Sequence, residues 1–188
     1  MSKTMKYDIC VVGLGYVGLT LATAFANKGF AVLGIEKNPD IVAMTNDGLP
    51  HFEENGLAEI MSHAVKKGRL TAQAKLLPSD EISAAFIITV GTPLTKAGDI
   101  NLDFIKSATN DILQHVRDGS LVVLRSTVKV GTCRNVVMPL LETTGKSLHV
   151  AMCPERTLEG RAMEELDKLP QVIGADDPVA FTKAEKLF

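Results

Sequence analysis

The stretch Gly13-Leu14-Gly15-Tyr16-Val17-Gly18 restricts this chain more than any other. Before it runs YDICVV, short, β-branched and apolar, and it opens YVGLTLATAFANKG, which has helical spacing and stops at Gly29, a C-cap. FAVLGIE follows as a second apolar strand that ends on Glu36. Strand, glycine turn, helix and strand, with an acid about 20 residues beyond the glycines, is the context that makes a G-x-G-x-x-G a dinucleotide-binding turn. Each glycine then has its own role. Gly13 makes the turn tight, Gly15 lets a pyrophosphate approach the backbone, and Gly18 lets the helix pack close to the strand. The free N–H groups at the helix start face the phosphate charge. Glu36 is suited to accept hydrogen bonds from the adenosine ribose hydroxyls, and its charge repels a 2′-phosphate, which favours NAD over NADP; the neighbouring Lys37 pulls the other way.

The same region invites a different reading. Residues 9–26 carry no charge, Lys3 and Lys6 precede them, and ATAFA resembles a cleavage site, so a signal peptide or membrane helix has to be considered. Asp8 beside the run and the clustered glycines argue against it. Composition narrows the rest. With 46% apolar residues in 188, the chain can bury a core, and a net charge of −2 without a basic block argues against nucleic-acid partners. Three cysteines, Cys10, Cys133 and Cys153, lie far apart and form no C-x-x-C or metal-spaced set with His51, His63, His115 or His149, which fits a reducing cytoplasm and no metal.

Beyond Glu36 come three more apolar strands, AAFIITV at 84–90, SLVVLRS at 120–126 and SLHVAM at 147–152. NLDFIKSATNDILQHV and GTCRNVVMPLLETTG lie between them with helical periodicity, and residues 38–68 hold one or two helices around GLPHFEENG. The alternation predicts an α/β fold of Rossmann type, a doubly wound and mostly parallel sheet with helices on both faces. Ligands of such sheets sit outside the carboxyl ends of the strands. There the chain carries the glycine turn, Glu36, Gly91-Thr92-Pro93, Ser126-Thr127 and CPERTLEG. In CPERTLEG the carboxylates Glu155 and Glu159 bracket Arg156; from the residues alone they are equally a catalytic pair or a capped loop, with Glu155 paired to Arg156 or Arg161. Cys10 reads as core, and Cys133, at a helix start, as packing before reactivity.

GLGYVGL, Glu36, PHFEENGL, TVGTPL, RSTVKVGT and CPERTLEG, in that order, resemble the UDP-glucose/GDP-mannose dehydrogenases, the nucleotide-sugar 6-dehydrogenases, over their N-terminal NAD-binding domain. The resemblance implies oxidation of the C6 alcohol of a UDP-sugar to a carboxylate, two NAD+ being reduced, through a thiohemiacetal and a thioester on a cysteine of a later substrate domain. It implies that Gly13, Leu14, Gly15, Tyr16, Val17 and Gly18 hold the pyrophosphate, that Glu36 and Lys37 meet the ribose, and that Val90, Thr92 and Pro93 lie beside the adenosine. Thr127 falls near the nicotinamide and the catalytic water. Glu155 is the base or water-positioning group, Glu159 lies near the nicotinamide, and Glu155, Arg156, Leu158 and Glu159 line the sugar. Arg156 stands where UDP-glucose enzymes have Phe, which is closer to UDP-N-acetylhexosamine enzymes such as those acting on UDP-N-acetylmannosamine, yet Glu159 is retained. Glu54-Asn55-Gly56-Leu57 stands where the family has E-P-G-L. On this reading residues 1–188 are one NAD-binding domain and a fragment, inactive by itself and part of a homo-oligomer when complete, because the catalytic Cys is expected after residue 188. The alternatives are a non-catalytic, regulatory NAD-binding module, and a dehydrogenase of the 6-phosphogluconate or 3-hydroxyacid type.

Overall fold

The computed structural model describes residues 7–188; Lys3 and Lys6, which bear on the membrane reading, lie outside them. The uncharged run 9–26 is divided between a strand, a turn and a helix. Strand β1 (Tyr7–Val12) and helix α1 (Tyr16–Asn27) meet at the glycine turn, and β2 (Val32–Ile35) returns the chain to the sheet. No helix among the described residues is long and apolar enough to cross a membrane.

The chain continues through α2 (Pro39–Asn46), α3 (Leu57–Lys66), β3 (Leu70–Gln73), β4 (Ile82–Ile88), α4 (Asp103–Ile112) and β5 (Leu121–Leu124). A single π turn at Cys133–Val137 then leads into α5 (Met138–Glu142), followed by β6 (His149–Met152), α6 (Ala162–Lys168) and α7 (Pro178–Leu187). The six strands form one sheet in the order β3-β2-β1-β4-β5-β6, and every pairing is parallel. The order reverses between β1 and β4, and a crevice opens beyond the strand ends at that point.

Both faces of the sheet are covered. Ile9 and Val11 of β1 join Leu19, Phe25, Leu57, Met61 and Ala184 on one face, from α1, α3 and α7. Cys10 and Val12 join Ile105, Ile112, Val137 and Leu141 on the other, from α4, the π turn and α5. Strands buried on both faces read as unbroken apolar runs, which is why β1, β4 and β5 stand out in the sequence.

Strand β3 does not stand out. It is an edge strand of four residues whose burial alternates, and it follows the polar stretch 66–69. Its outer edge is closed by one side chain: Asn46 donates Nδ2 to the Ala72 carbonyl (3.0 Å) and accepts from the Ala72 amide (2.8 Å). That pair satisfies backbone groups which would otherwise offer pairing to another strand.

The tightest packing is at the glycine turn. A Cβ on Gly18 would stand 1.8 Å from the Gly13 carbonyl oxygen and 2.7 Å from Thr89 Oγ1. Nothing lies within 4 Å of a Cβ on Gly15. Gly18→Ala is therefore expected to cost about 3 kcal/mol in urea unfolding, whereas Gly15→Ala, at an ordinary φ of −64°, changes stability by less than about 1 kcal/mol.

Candidate functional site

The glycine turn is held from three directions. Gly13, at φ +96°, donates its N–H to the Ile35 carbonyl at 2.7 Å. Thr89, just past β4, donates its hydroxyl to the carbonyls of Val12 (3.0 Å) and Gly13 (2.7 Å). Val90 packs so closely that a Cβ on Gly13 would come within 3.1 Å of it. Helix α1 begins immediately afterwards, with Gly15 as N-cap, no side-chain cap and no acid in its first turn. Its leading N–H groups stay available to an anion.

Glu36 stands at the end of β2 beside this turn. Its Oε2 accepts from the Leu14 amide (2.9 Å) and its Oε1 from the Asn38 amide (2.9 Å). Each oxygen has a further lone pair for a hydroxyl donor. Lys37 is tied to α4: its ammonium donates to Ser107 Oγ (2.8 Å) and lies 3.6 Å from Asp111 Oδ2. Gly13, Gly15, Glu36, Lys37 and Val90, together with Phe104 and Ala108 of α4, border a cleft of about 340 Å³. An acid with spare acceptors, an uncapped helix start, an open approach at Gly15 and an apolar far wall fit an adenine dinucleotide.

Not every predicted residue faces this cleft. The Leu14 side chain is fully buried in the core, where it lies against Gly34, and only its amide takes part in the turn. Val17 is half-buried within the first turn of α1. Thr92 donates to the Thr127 carbonyl (2.7 Å), and Ser126 donates to the Val90 carbonyl (2.6 Å), so the loops after β4 and β5 are tied together, with Thr127 and Pro93 exposed at the rim.

The loop after β6 carries Glu155, Arg156, Leu158 and Glu159. Glu155 pairs with neither Arg156 nor Arg161. Its Oε2 accepts from Arg125 Nε (3.0 Å) and Nη2 (2.6 Å), and its Oε1 from the amides of Arg156 (2.6 Å) and Thr157 (2.7 Å). Burial pushes the carboxyl upward, but the Arg125 charge and the two amides outweigh it and hold Glu155 below the ordinary 4.5. Arg125 is only 2% exposed and also donates to the Cys153 carbonyl (3.2 Å) and Gln171 Oε1 (2.8 Å). Glu155 and Arg156 border a second cavity, of about 290 Å³, with Phe25, Phe188 and Gln171, and Arg156 donates to the Pro170 carbonyl (3.3 Å). Leu158 and Glu159 are exposed.

A model of the UDP-glucose/GDP-mannose dehydrogenase family, NAD binding domain, matches residues 7–188. The chain belongs to this family. A UDP-N-acetyl-D-mannosamine dehydrogenase of Methanococcus maripaludis is 34% identical over 195 residues, covering 100% of this chain and 44% of the relative. Among solved structures, a GDP-mannose dehydrogenase from Pseudomonas aeruginosa superposes with a TM-score of 0.90 at 32% identity, over 95% of this chain and 43% of that one. A UDP-glucose dehydrogenase from Pyrobaculum islandicum gives 0.88 at 34% identity, over 99% and 44%. The chain thus spans less than half the length of these relatives, and what it forms is the family's NAD-binding domain. The alternative of a 6-phosphogluconate or 3-hydroxyacid type is set aside.

Within this NAD-binding domain the cysteines are poorly placed for nucleophilic chemistry. Cys10 and Cys153 are 0% exposed; burial raises Cys10 far above the ordinary range and pushes Cys153 up to about 12, against the opposing Arg125 charge. Burial also raises Cys133, despite its place at a helix start. Two polar residues are given no role by the motifs, Arg125, which opens RSTVKVGT, and Gln171. Arg125 leaves a trace in the sequence, a lone charge closing the apolar run SLVVL; Gln171 leaves none.

Removing Arg125 strands a buried carboxylate. Arg125→Met is expected to cost about 3–5 kcal/mol near neutral pH. The pair's stabilisation is present above the ordinary carboxyl value of 4.5 and is lost as pH falls through the lowered folded value. The difference in urea midpoint between the two proteins should therefore narrow as pH falls below 4.5.

Proposed function

We propose that this chain is the cofactor-binding half of a nucleotide-sugar 6-dehydrogenase, which oxidises the C6 alcohol of a UDP-sugar to a uronate in two NAD+-dependent steps. The observation that carries the reading is the cleft at the sheet's reversal point, where Gly13, Gly15 and Glu36 meet Val90 and the apolar wall of α4. NAD, when bound, supplies the hydride acceptor. The chain's own residues do the rest of the binding. The first-turn amides of α1 face the pyrophosphate, Glu36 offers an acceptor to each ribose hydroxyl, and Phe104 and Ala108 line the apolar side. Lys37, neutralised by Asp111, does not recruit a 2′-phosphate, which supports NAD over NADP.

Thr127 and Glu159 are exposed on the same edge of the sheet and are proposed to meet the reacting end of the site, while Leu158 and Arg156 border the sugar. Glu155 is proposed to stay ionised and to hold water and loop in position; a carboxylate with four donors already on it is a weak proton acceptor. A UDP-N-acetylmannosamine-type substrate is favoured over UDP-glucose by Arg156 and by the name of the 34% identical methanococcal relative. The nucleophilic thiol is proposed to come from chain beyond these 188 residues, because Cys10 and Cys153 are buried and burial raises the thiols of Cys10, Cys133 and Cys153. A homo-oligomer and a cytoplasmic location are proposed for the complete protein.

The test is an NADH titration followed by the cofactor's fluorescence, against a background without Trp. NADH should bind saturably and at least about tenfold more tightly than NADPH, and Glu36→Ala should erase most of that preference. With a UDP-sugar and NAD+, these 188 residues alone should form no NADH. Equal binding of NADPH overturns the cofactor reading, and turnover by the isolated chain overturns the division of the site.

A further inference from the structure

Glu54, in the loop between α2 and α3, gathers donors from two distant parts of the chain. Its Oε2 accepts from the Tyr16 hydroxyl and from the Gly160 amide (2.7 Å), and its Oε1 accepts from the Ala162 amide (2.9 Å). Asn55, next to it, donates Nδ2 to the Gly160 carbonyl (2.7 Å). The Tyr16 hydroxyl lies 3.4 Å from the Leu158 carbonyl, and its ring packs on Phe52 with centroids 4.9 Å apart. Burial, then Glu54, holds Tyr16 well above the ordinary phenol range, so the hydroxyl stays a donor.

Tyr16 is the first residue of α1, in the turn that faces the pyrophosphate. Gly160 and Ala162 bracket the end of the loop that carries Leu158 and Glu159. One carboxylate therefore joins the start of α1 to the loop after β6 through charge-assisted hydrogen bonds, which are stronger and more directional than neutral ones. None of these bonds contributes to the sheet or to either apolar core.

We propose that Glu54 is a positioning residue that couples the pyrophosphate turn to the 158–162 loop, so that a dinucleotide seated on the turn also orders the loop beside the sugar. The coupling rests on the cofactor reading above and deepens it. A ligand that fixes the first turn of α1 fixes the Tyr16 hydroxyl, and with it the carboxylate that holds the loop amides. Linkage makes the effect mutual: ordering the loop favours the bound turn to the same extent.

The loop contains its own reporters. Arg156 and Arg161 are exposed trypsin sites within it or at its end. Cleavage after them is followed in the intact 188-residue chain, with and without NADH, for the unaltered protein, Tyr16→Phe and Glu54→Gln. Without cofactor, both variants should be cut about tenfold faster than the unaltered chain, as expected for loss of a charge-assisted bond from a locally opening loop. Saturating NADH should slow cleavage of the unaltered chain by about tenfold and that of either variant by less than about twofold. A residue that only supported the fold would change both rates by one factor and leave the NADH effect intact. Tyr16→Phe removes a hydroxyl and keeps the ring, so it tests the coupling even if Glu54→Gln fails to fold. Full NADH protection in Tyr16→Phe overturns the proposal, as does an unaltered rate in its absence. If NADH does not bind the unaltered chain, the cofactor reading falls, and the cofactor-free rates alone decide whether the clamp exists.

Discussion

Helix α1 starts where it does because two stretches of backbone touch. The Gly18 Cα sits against the Gly13 carbonyl, with no room between them for even one methyl carbon. That contact sets the angle at which α1 leaves the strand, and therefore where its first N–H groups point. Thr89 then seals the arrangement from the neighbouring strand end by donating to the carbonyls of Val12 and Gly13. The binding surface is thus a by-product of close packing between β1, α1 and β4: the same absence of side chains that admits the contact leaves the helix start uncovered.

From this junction the remaining site follows by topology. The strand order reverses beside β1, so the ends of β2 and β4 fall on either side of the turn and bring Glu36 and Val90 to it. Each wall is then stiffened by short ties between loops: Lys37 to α4, Thr92 to Thr127, Glu54 to the residues after β6. The loops differ in length and composition, but each of these is anchored to a neighbouring element.

Much of this is legible in the residues. The glycine spacing, Glu36 and the apolar strands carry period and composition signals that survive without any knowledge of contacts, and they lead to the right sheet and the right edge. What stays hidden depends on partners remote in sequence. Strand β3 escapes notice because an edge strand of four residues needs no apolar run. Leu14 is expected in the turn, but a motif records positions and not directions, and its side chain points into the core. Lys37 reads as a rival to Glu36, and its tie to Ser107 and Asp111 on α4 leaves no trace in the sequence. Sequence proximity assigns Glu155 to local arginines, whereas its partner lies thirty positions upstream, at the end of another strand.

That last pairing has a bearing on how such a domain can change over time or be re-engineered. Because the guanidinium of Arg125 is interior and simultaneously grips Glu155, Gln171 and the Cys153 carbonyl, the segment CPERTLEG is not a self-contained cassette. Transplanting it into a relative, or replacing it with a relative's version, carries a hidden dependency on positions 125 and 171. Exchanges at these sites have to travel together, so the unit that can be moved intact is scattered over three segments of the chain.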